Sequence, residues 1–232
     1  MVLPVTEAGK NLIMSTAKGV VKKTLSSQFK NLRSSGLIAI KLDPDDSLVS
    51  VRETSGDDHI FLLTKKGKSI RFPEANTRPM GRATSGMRGI KLEKDDAMIA
   101  MEVFSGKEAK VSDKRRKVFR DILTISEHGL GKRTPIHLFP VQRRAGKGVK
   151  AAVVNPKTGI LVAAQMVTPD VDQIVVTSKF GQVIKLPIKN IPKLGRATQG
   201  VILMRFTDKT DGVAGVATLY KNGDEEEEKP ST

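Results

Sequence analysis

Ile122-Leu123-Thr124-Ile125-Ser126, then His128-Gly129, then Lys132-Arg133-Thr134 is the phrase that decides the fold. An apolar β-type run meets a turn ending in glycine, and a basic run leads away from it. Glycine supplies the positive φ that a tight hairpin turn needs, so the phrase reads as a β-hairpin. The phrase recurs three times. Leu12 to Thr16 leads to Lys18-Gly19 and Val20-Val21-Lys22-Lys23. Ile60 to Thr64 leads to Lys66-Gly67 and Ile70-Arg71-Phe72. Ile174 to Ser178 leads to Phe180-Gly181 and Val183-Ile184-Lys185-Leu186.

A second glycine follows each hairpin glycine: Gly36, Gly86, Gly148 and Gly200, at gaps of 17, 19, 19 and 19 residues. Arg82, Arg144 and Arg196 stand at one offset before the last three, and Arg33 is one place closer to Gly36. An apolar strand is expected after each of these glycines: Leu37-Ile38-Ala39-Ile40, Ile90-Lys91-Leu92, Val149 to Val154, and Val201 to Met204. A short, often acidic turn follows, and then a fourth apolar run such as Leu48 to Val51 or Met98 to Met101. Four strands per unit and hairpin spacings of 48, 62 and 52 residues describe propeller-like blades in an all-β fold. No tryptophan is present, which excludes WD repeats, and the double glycine of kelch units is missing.

The expected organisation is one β domain over 1–220, with blades at approximately 10–52, 58–103, 120–165 and 172–218, as a closed array or an open arc. The long second spacing, 62 residues, comes from a basic insertion over 105–120, expected to be a loop between blades. Residues 221–232 read as a disordered acidic tail.

Charge sets the partner class. Lys plus Arg number 40 against 25 Asp plus Glu, for a net charge of +15. The run Asp224-Glu225-Glu226-Glu227-Glu228 holds five of those acids, so the rest of the chain is more basic still. Such a chain attracts nucleic acid or an anionic surface. No apolar run spans a bilayer and no signal peptide is visible, so no membrane partner is expected and the location reads as cytoplasmic. Cysteine is absent, which removes disulfides, thiol catalysis and Cys-based zinc sites.

The densest basic segment is Gln142-Arg143-Arg144-Ala145-Gly146-Lys147-Gly148. Small residues let a backbone approach a polyanion while Arg143, Arg144 and Lys147 neutralise phosphates. The expected nucleic-acid track joins Gln142, Gly146 and Gly148 of this segment with Lys22, Lys23, Arg33, Arg71, Arg82, Arg88, Lys132, Arg133, Lys185 and Arg196. The competing structural reading makes the hairpin cations ordinary outward strand positions and the glycines turn requirements. Asp43, Asp45 and Asp46 fail as a calcium loop, because Leu48 and Thr54 stand where glycine and glutamate are needed. His59, His128 and His137 lack metal-ligand spacing. No Ser/His/Asp set, P-loop or dinucleotide fingerprint appears, so no catalytic residue, metal or cofactor is assigned. Aromatics make up 4% of the chain, too few for base stacking on single strands, so duplex is the expected partner.

The repeats resemble the C-terminal domain of the DNA gyrase A subunit. The phrases that carry the resemblance are Gly19 to Thr24, Gly129 to Thr134, Gly86-Met87-Arg88-Gly89-Ile90-Lys91-Leu92, and Gly195 to Leu203. Gln142 to Gly148 is similar to the gyrase-A box, with Ala145 replacing a glycine. The resemblance spans about residues 10–218. It implies a β-pinwheel whose blades exchange a strand, and DNA bent around a basic rim in support of negative supercoiling. It also implies a bacterial, nucleoid-associated setting, with the gyrase B subunit plus the remainder of the gyrase A subunit as partners. Strand cleavage and ATP hydrolysis would then lie outside this chain. The family domain usually has six blades with the box in the first, whereas four units are present here and the box-like segment is in the third. Met1 to Thr6 resembles the end of an earlier blade, so the resemblance implies a distal four-blade portion. The corresponding domain of topoisomerase IV, which carries degenerate boxes, is the near alternative. From other classes, the rivals are a basic RNA-binding repeat module, an enzyme on a propeller scaffold, and a fragment that needs further blades to fold. The acidic tail is expected to compete with DNA for the rim.

Overall fold

A computed structural model describes residues 10–31, 34–106 and 120–221. It holds four antiparallel sheets, one per repeat. The first is ordered β3 (Leu48–Thr54), β1 (Asn11–Thr16), β2 (Val20–Leu25), β6 (Met87–Arg88). The second is β10 (Val149–Lys150), β5 (Lys68–Pro73), β4 (Asp58–Thr64), β7 (Met98–Ser105). The third is β11 (Leu161–Val167), β8 (Asp121–Ser126), β9 (Leu130–Pro135), β14 (Val201–Ile202). The fourth has three strands among the described residues: β13 (Val183–Pro187), β12 (Val171–Ser178), β15 (Val213–Tyr220). Arg33, most of the insertion (107–119) and the acidic tail from 222 lie outside the described residues. Among the described residues no helix is long and apolar enough to cross a membrane.

The sheet order departs from four strands supplied by each unit. The strand after the second glycine is two residues long and leaves its own unit to pair with the sheet before it. Val20 and Val21 pair with Arg88 and Met87, Ser69 and Lys68 with Val149 and Lys150, and Gly131 and Leu130 with Val201 and Ile202. Leu37 to Ile40, expected as the first such strand, pairs with no sheet among the described residues.

Gly86, Gly148 and Gly200 make this exchange possible. At Gly148 (φ +71°) a Cβ would lie 2.3 Å from the Ser69 carbonyl oxygen, and at Gly200 a Cβ would lie 2.5 Å from that of Gly131. Only a residue without a side chain lets the two backbones come that close.

The apolar cores lie between sheets rather than within them. Strand alternation sends neighbouring residues to opposite faces. Seven residues before each hairpin glycine, Ile60, Ile122 and Ile174 face the preceding sheet; one residue on, Ile13, Phe61 and Leu123 face the following one. Ile13 and Ile60 thus share the first core, Phe61 and Ile122 the second, and Leu123 and Ile174 the third. Phe61 meets Phe139 edge to face at 4.9 Å, a pairing worth about 1 kcal/mol beyond burial.

The acidic turns cap the hairpins. Asp46 Oδ1 accepts the Lys18 and Ser47 amides, and Asp96 Oδ1 accepts those of Lys66 and Ala97. Asp211 Oδ1 does the same for Phe180 and Gly212. These carboxylates are occupied by backbone donors, which accounts for acid at these turns without a cation.

Candidate nucleic-acid interface

Most of the hairpin cations expected on an outward track are inside the protein. Lys22 and Lys132 are 0% and 1% exposed. Lys132 Nζ donates to the Ala151, Gly195 and Arg196 carbonyls at 2.9, 2.7 and 2.6 Å and to Thr198 Oγ1 at 3.1 Å. Ala151 lies on the segment leaving the third unit, and Arg196 on the one arriving from the fourth. Lys132 therefore pins both at one point. Lys22 repeats this at the first joint, donating to the Ala39 carbonyl at 2.7 Å and to that of Arg82. Burial and the nearby Arg196 push the Lys132 ammonium down to about 8, and burial with Arg82 lowers Lys22.

The cation one residue further on also works inward. Lys23 lies 3.3 Å from the buried Glu74 carboxylate, which also accepts Thr54 Oγ1 at 2.7 Å and the Gly56 amide at 2.9 Å. Buried Arg71 donates to the Ile136 and Phe139 carbonyls and to His59 Nδ1. Arg133 Nε donates to the Ile191 carbonyl at 2.8 Å, and its guanidinium lies 3.5 Å from Asp121. Each cation holds the incoming segment of the next unit. This corrects the outward-track expectation for Lys22, Lys23, Arg71, Lys132 and Arg133. A buried cation needs fixed acceptors: for Lys22 and Lys132 these are carbonyls of the exchanged segments, and for Lys23, Arg71 and Arg133 they are the Glu74 and Asp121 carboxylates, His59 and the Ile136, Phe139 and Ile191 carbonyls just ahead of those segments. Lys185, at the equivalent place in the fourth sheet, is exposed.

The exposed cations sit on the exchanged segments. These run over 79–92, 141–154 and 193–206, with 34–42 as their unpaired counterpart. Neighbouring segments bond to one another by one rule: the Lys41 amide donates to Thr84, that of Lys91 to Gly146, and that of Val153 to Thr198, at 2.9–3.1 Å. The arginines before the glycines extend it. Arg144 donates to the Arg88 carbonyl, and at 3.1 Å to that of Asn76, while Arg196 donates to the Lys150 carbonyl at 3.0 Å. Four segments therefore lie side by side as one surface, held by backbone amides and by Arg144 and Arg196.

From this surface Arg88, Arg143 and Lys147 project into solvent, with Arg82 half-buried. None of the four makes a side-chain hydrogen bond or ion pair with a described residue. Sequence reasoning missed Lys41, Lys91, Lys150 and Arg205, which share the surface and are exposed. Lys91 and Lys150 follow the second glycines at five and two residues, so the repeat itself could have found them. Gln142 is half-buried and donates its amide to the Arg71 carbonyl at 2.7 Å, so it anchors the box-like segment from beneath. Gly148 is required by the backbone approach at Ser69, whereas a Cβ at Gly146 would meet nothing closer than 3.5 Å. Ala145 holds φ +67°, a conformation better suited to glycine.

Comparison with known proteins agrees with this architecture. The sequence model of the DNA gyrase C-terminal domain, a β-propeller, matches at residues 10–55, 58–105, 120–168 and 172–219. The DNA gyrase A subunit of Escherichia coli (strain K12) is 39% identical over 228 residues, 97% of this chain and 24% of the relative. That of Staphylococcus aureus (strain MRSA252) is 36% identical, covering 94% of this chain and 23% of the relative. The chain thus spans about a quarter of the length of these relatives. Among solved structures, the C-terminal domain of DNA topoisomerase IV superposes with a TM-score of 0.81 at 22% identity, covering 92% of this chain and 63% of that one. The DNA gyrase A C-terminal domain superposes at 0.76 with 25% identity, covering 93% and 67%. The chain belongs to the DNA gyrase C-terminal domain family.

Proposed function

We propose that the exchanged-segment surface binds duplex DNA and bends it around the array, as the DNA-holding part of a gyrase-type A subunit in a bacterial cell. The observation that carries this reading is the row of unpaired cations Arg88, Arg143 and Lys147 on segments locked side by side. A duplex held by phosphate contacts needs many cations at repeated spacing on a rigid surface and little base reading. Counterion release supplies the energy, and it must exceed a bending cost of about 1–6 kcal/mol per site. Membership of the gyrase family supports DNA as the polyanion in preference to RNA. Strand cleavage and ATP hydrolysis belong to other parts of the enzyme. The partners on this reading are the gyrase B subunit plus the remainder of the gyrase A subunit.

Ligation of a nicked circular plasmid with increasing protein tests bending and wrapping together. A shift in linking number is expected, and it should vanish in Arg88→Ala/Arg143→Ala/Lys147→Ala. Binding without any shift would reduce the role to holding DNA, and a shift that survives the triple substitution would overturn the assignment of this surface.

A further inference from the structure

The exchanged segments share one backbone arrangement and differ in charge. We propose that duplex DNA is gripped across the segments of the second and third units, 79–92 and 141–154, and lifts away at that of the fourth, 193–206, with three side-chain positions deciding where the grip ends. The inference rests on the DNA reading of this surface and adds where on it the duplex lies.

The second glycines set the register. Five residues before them stand Arg143 and Gly195, and one before them Lys147 and Gln199. Two after them stand Arg88, Lys150 and Ile202. Arg143, Lys147 and Lys150 are exposed, as are Arg88 and Lys91 on the neighbouring segment, and none of the five makes a side-chain hydrogen bond or ion pair with a described residue. On the fourth unit's segment the same three places are neutral. Ile202 is 46% exposed there, with Val201 beside it at 41%. An exposed apolar pair releases no counterion and binds no phosphate. Arg196, between Gly195 and Gln199, is spent on the Lys150 carbonyl at 3.0 Å. Lys193, at the start of the segment, lies 3.1 Å from the Asp121 carboxylate. Arg205 is exposed but stands at the far end, nine residues beyond Arg196. The third unit thins out towards this joint as well: five residues past its second glycine it carries Val153, where the second unit has Lys91.

The backbone beneath this change of charge is conserved from joint to joint within the molecule. Arg144 and Arg196 bond to the Arg88 and Lys150 carbonyls of the segment before them. The Lys91 and Val153 amides reach the Gly146 and Thr198 carbonyls at 2.9 and 3.1 Å. A Cβ at Gly148 or Gly200 would lie 2.3 or 2.5 Å from the receiving carbonyl oxygen. The fourth segment therefore has the shape of its neighbours without their free charge. A duplex with a persistence length of ~150 bp straightens wherever phosphate contacts stop offsetting its bending. Those contacts run out on this segment, so the bend ends there.

Grafting the third unit's cations onto the fourth tests this. A Cβ at Gly195 would meet nothing within 4 Å, and Ile202 is exposed, so Gly195→Arg/Gln199→Lys/Ile202→Lys should melt as the wild type does. With a duplex long enough to cross all the segments, the slope of log affinity against log salt should steepen by roughly 2.7 units, at ~0.9 per added contact. The linking-number shift in nicked-plasmid ligation should grow with it. Gln199→Ala/Ile202→Ala should leave affinity within about twofold of the wild type, whereas Lys91→Ala/Lys150→Ala should lower it about tenfold. An unchanged slope in the grafted variant would overturn the proposal, because charge would then not be what ends the grip. So would a tenfold loss in Gln199→Ala/Ile202→Ala, the mark of a duplex already seated on this segment with Ile202 wedged against its bases. Arg88→Ala/Arg143→Ala/Lys147→Ala, measured alongside, separates two failures. If it leaves the slope unchanged, the DNA reading of the surface falls and this proposal with it; if it flattens the slope, only the lift-off is lost.

Discussion

Lys132 and Lys147 belong to the same repeat unit and do opposite work. Lys132 is buried and spends its ammonium on four oxygens of two exchanged segments. Lys147 stands on one such segment with its ammonium in water. The first is part of how the array is joined, and the second is available to a partner. The same division holds between Lys22, Lys23, Arg71 and Arg133 on one side and Arg88 and Arg143 on the other. A net charge of +15 therefore overstates the charge that an external polyanion can reach.

Lys132→Met tests the first half of the comparison and carries the largest expected effect. It removes one donor and leaves several buried acceptors unpaired, so denaturant unfolding should show a loss of about 3 kcal/mol or more. The same lysine has a pH signature. Its folded value of about 8 lies below the ordinary 10.5, so between these values the unfolded chain binds more protons than the folded one. This group's contribution to stability therefore rises with pH across that window, and the increment should be missing in Lys132→Met. Equal pH profiles for the two proteins would remove Lys132 as its source.

Gly148→Ala attacks the joint from the backbone. A methyl group 2.3 Å from the Ser69 oxygen, at φ +71°, forces the exchanged strand off its partner. The expected cost is about 2–3 kcal/mol in the same unfolding measurement.

The triple substitution at Arg88, Arg143 and Lys147 sharpens the other half. Stability should change by no more than about 0.5 kcal/mol, because these side chains bond to nothing among the described residues. Duplex affinity should fall by about tenfold or more, measured by fluorescence anisotropy at fixed salt. Stability loss without affinity loss would reverse the division. Ala145→Gly should have the smallest effect. It relieves a left-handed backbone at φ +67° and should stabilise by about 1 kcal/mol, read as a rise in melting temperature.

The hairpins were legible because Ile60 to Leu63 and Ile122 to Ile125 carry apolar runs that end in a glycine turn at a constant place. The exchange was visible only through a family resemblance. A pair such as Met87-Arg88 or Val201-Ile202 is too short to carry a period, and nothing in either pair says which sheet it will join. The cations misled for a related reason. A lysine in a strand ordinarily marks the solvent face, and Lys22 and Lys132 do not. Their offset held the warning: three residues after the hairpin glycine, the other two repeats place Ile70 and Ile184, which pack in or against the cores. Lys185 and Arg133 share an offset and differ in exposure: Arg133 is engaged by Ile191 and Asp121, whereas Lys185 has no such partner among the described residues.

The most direct test of the account is the slope of log affinity against log salt for duplex DNA, in the wild type and in Arg88→Ala/Arg143→Ala/Lys147→Ala. If these side chains contact phosphates, the slope should become shallower by roughly 2.7 units, at ~0.9 per lost contact. An unchanged slope would contradict the assignment of the exchanged-segment surface as the place where this protein holds DNA.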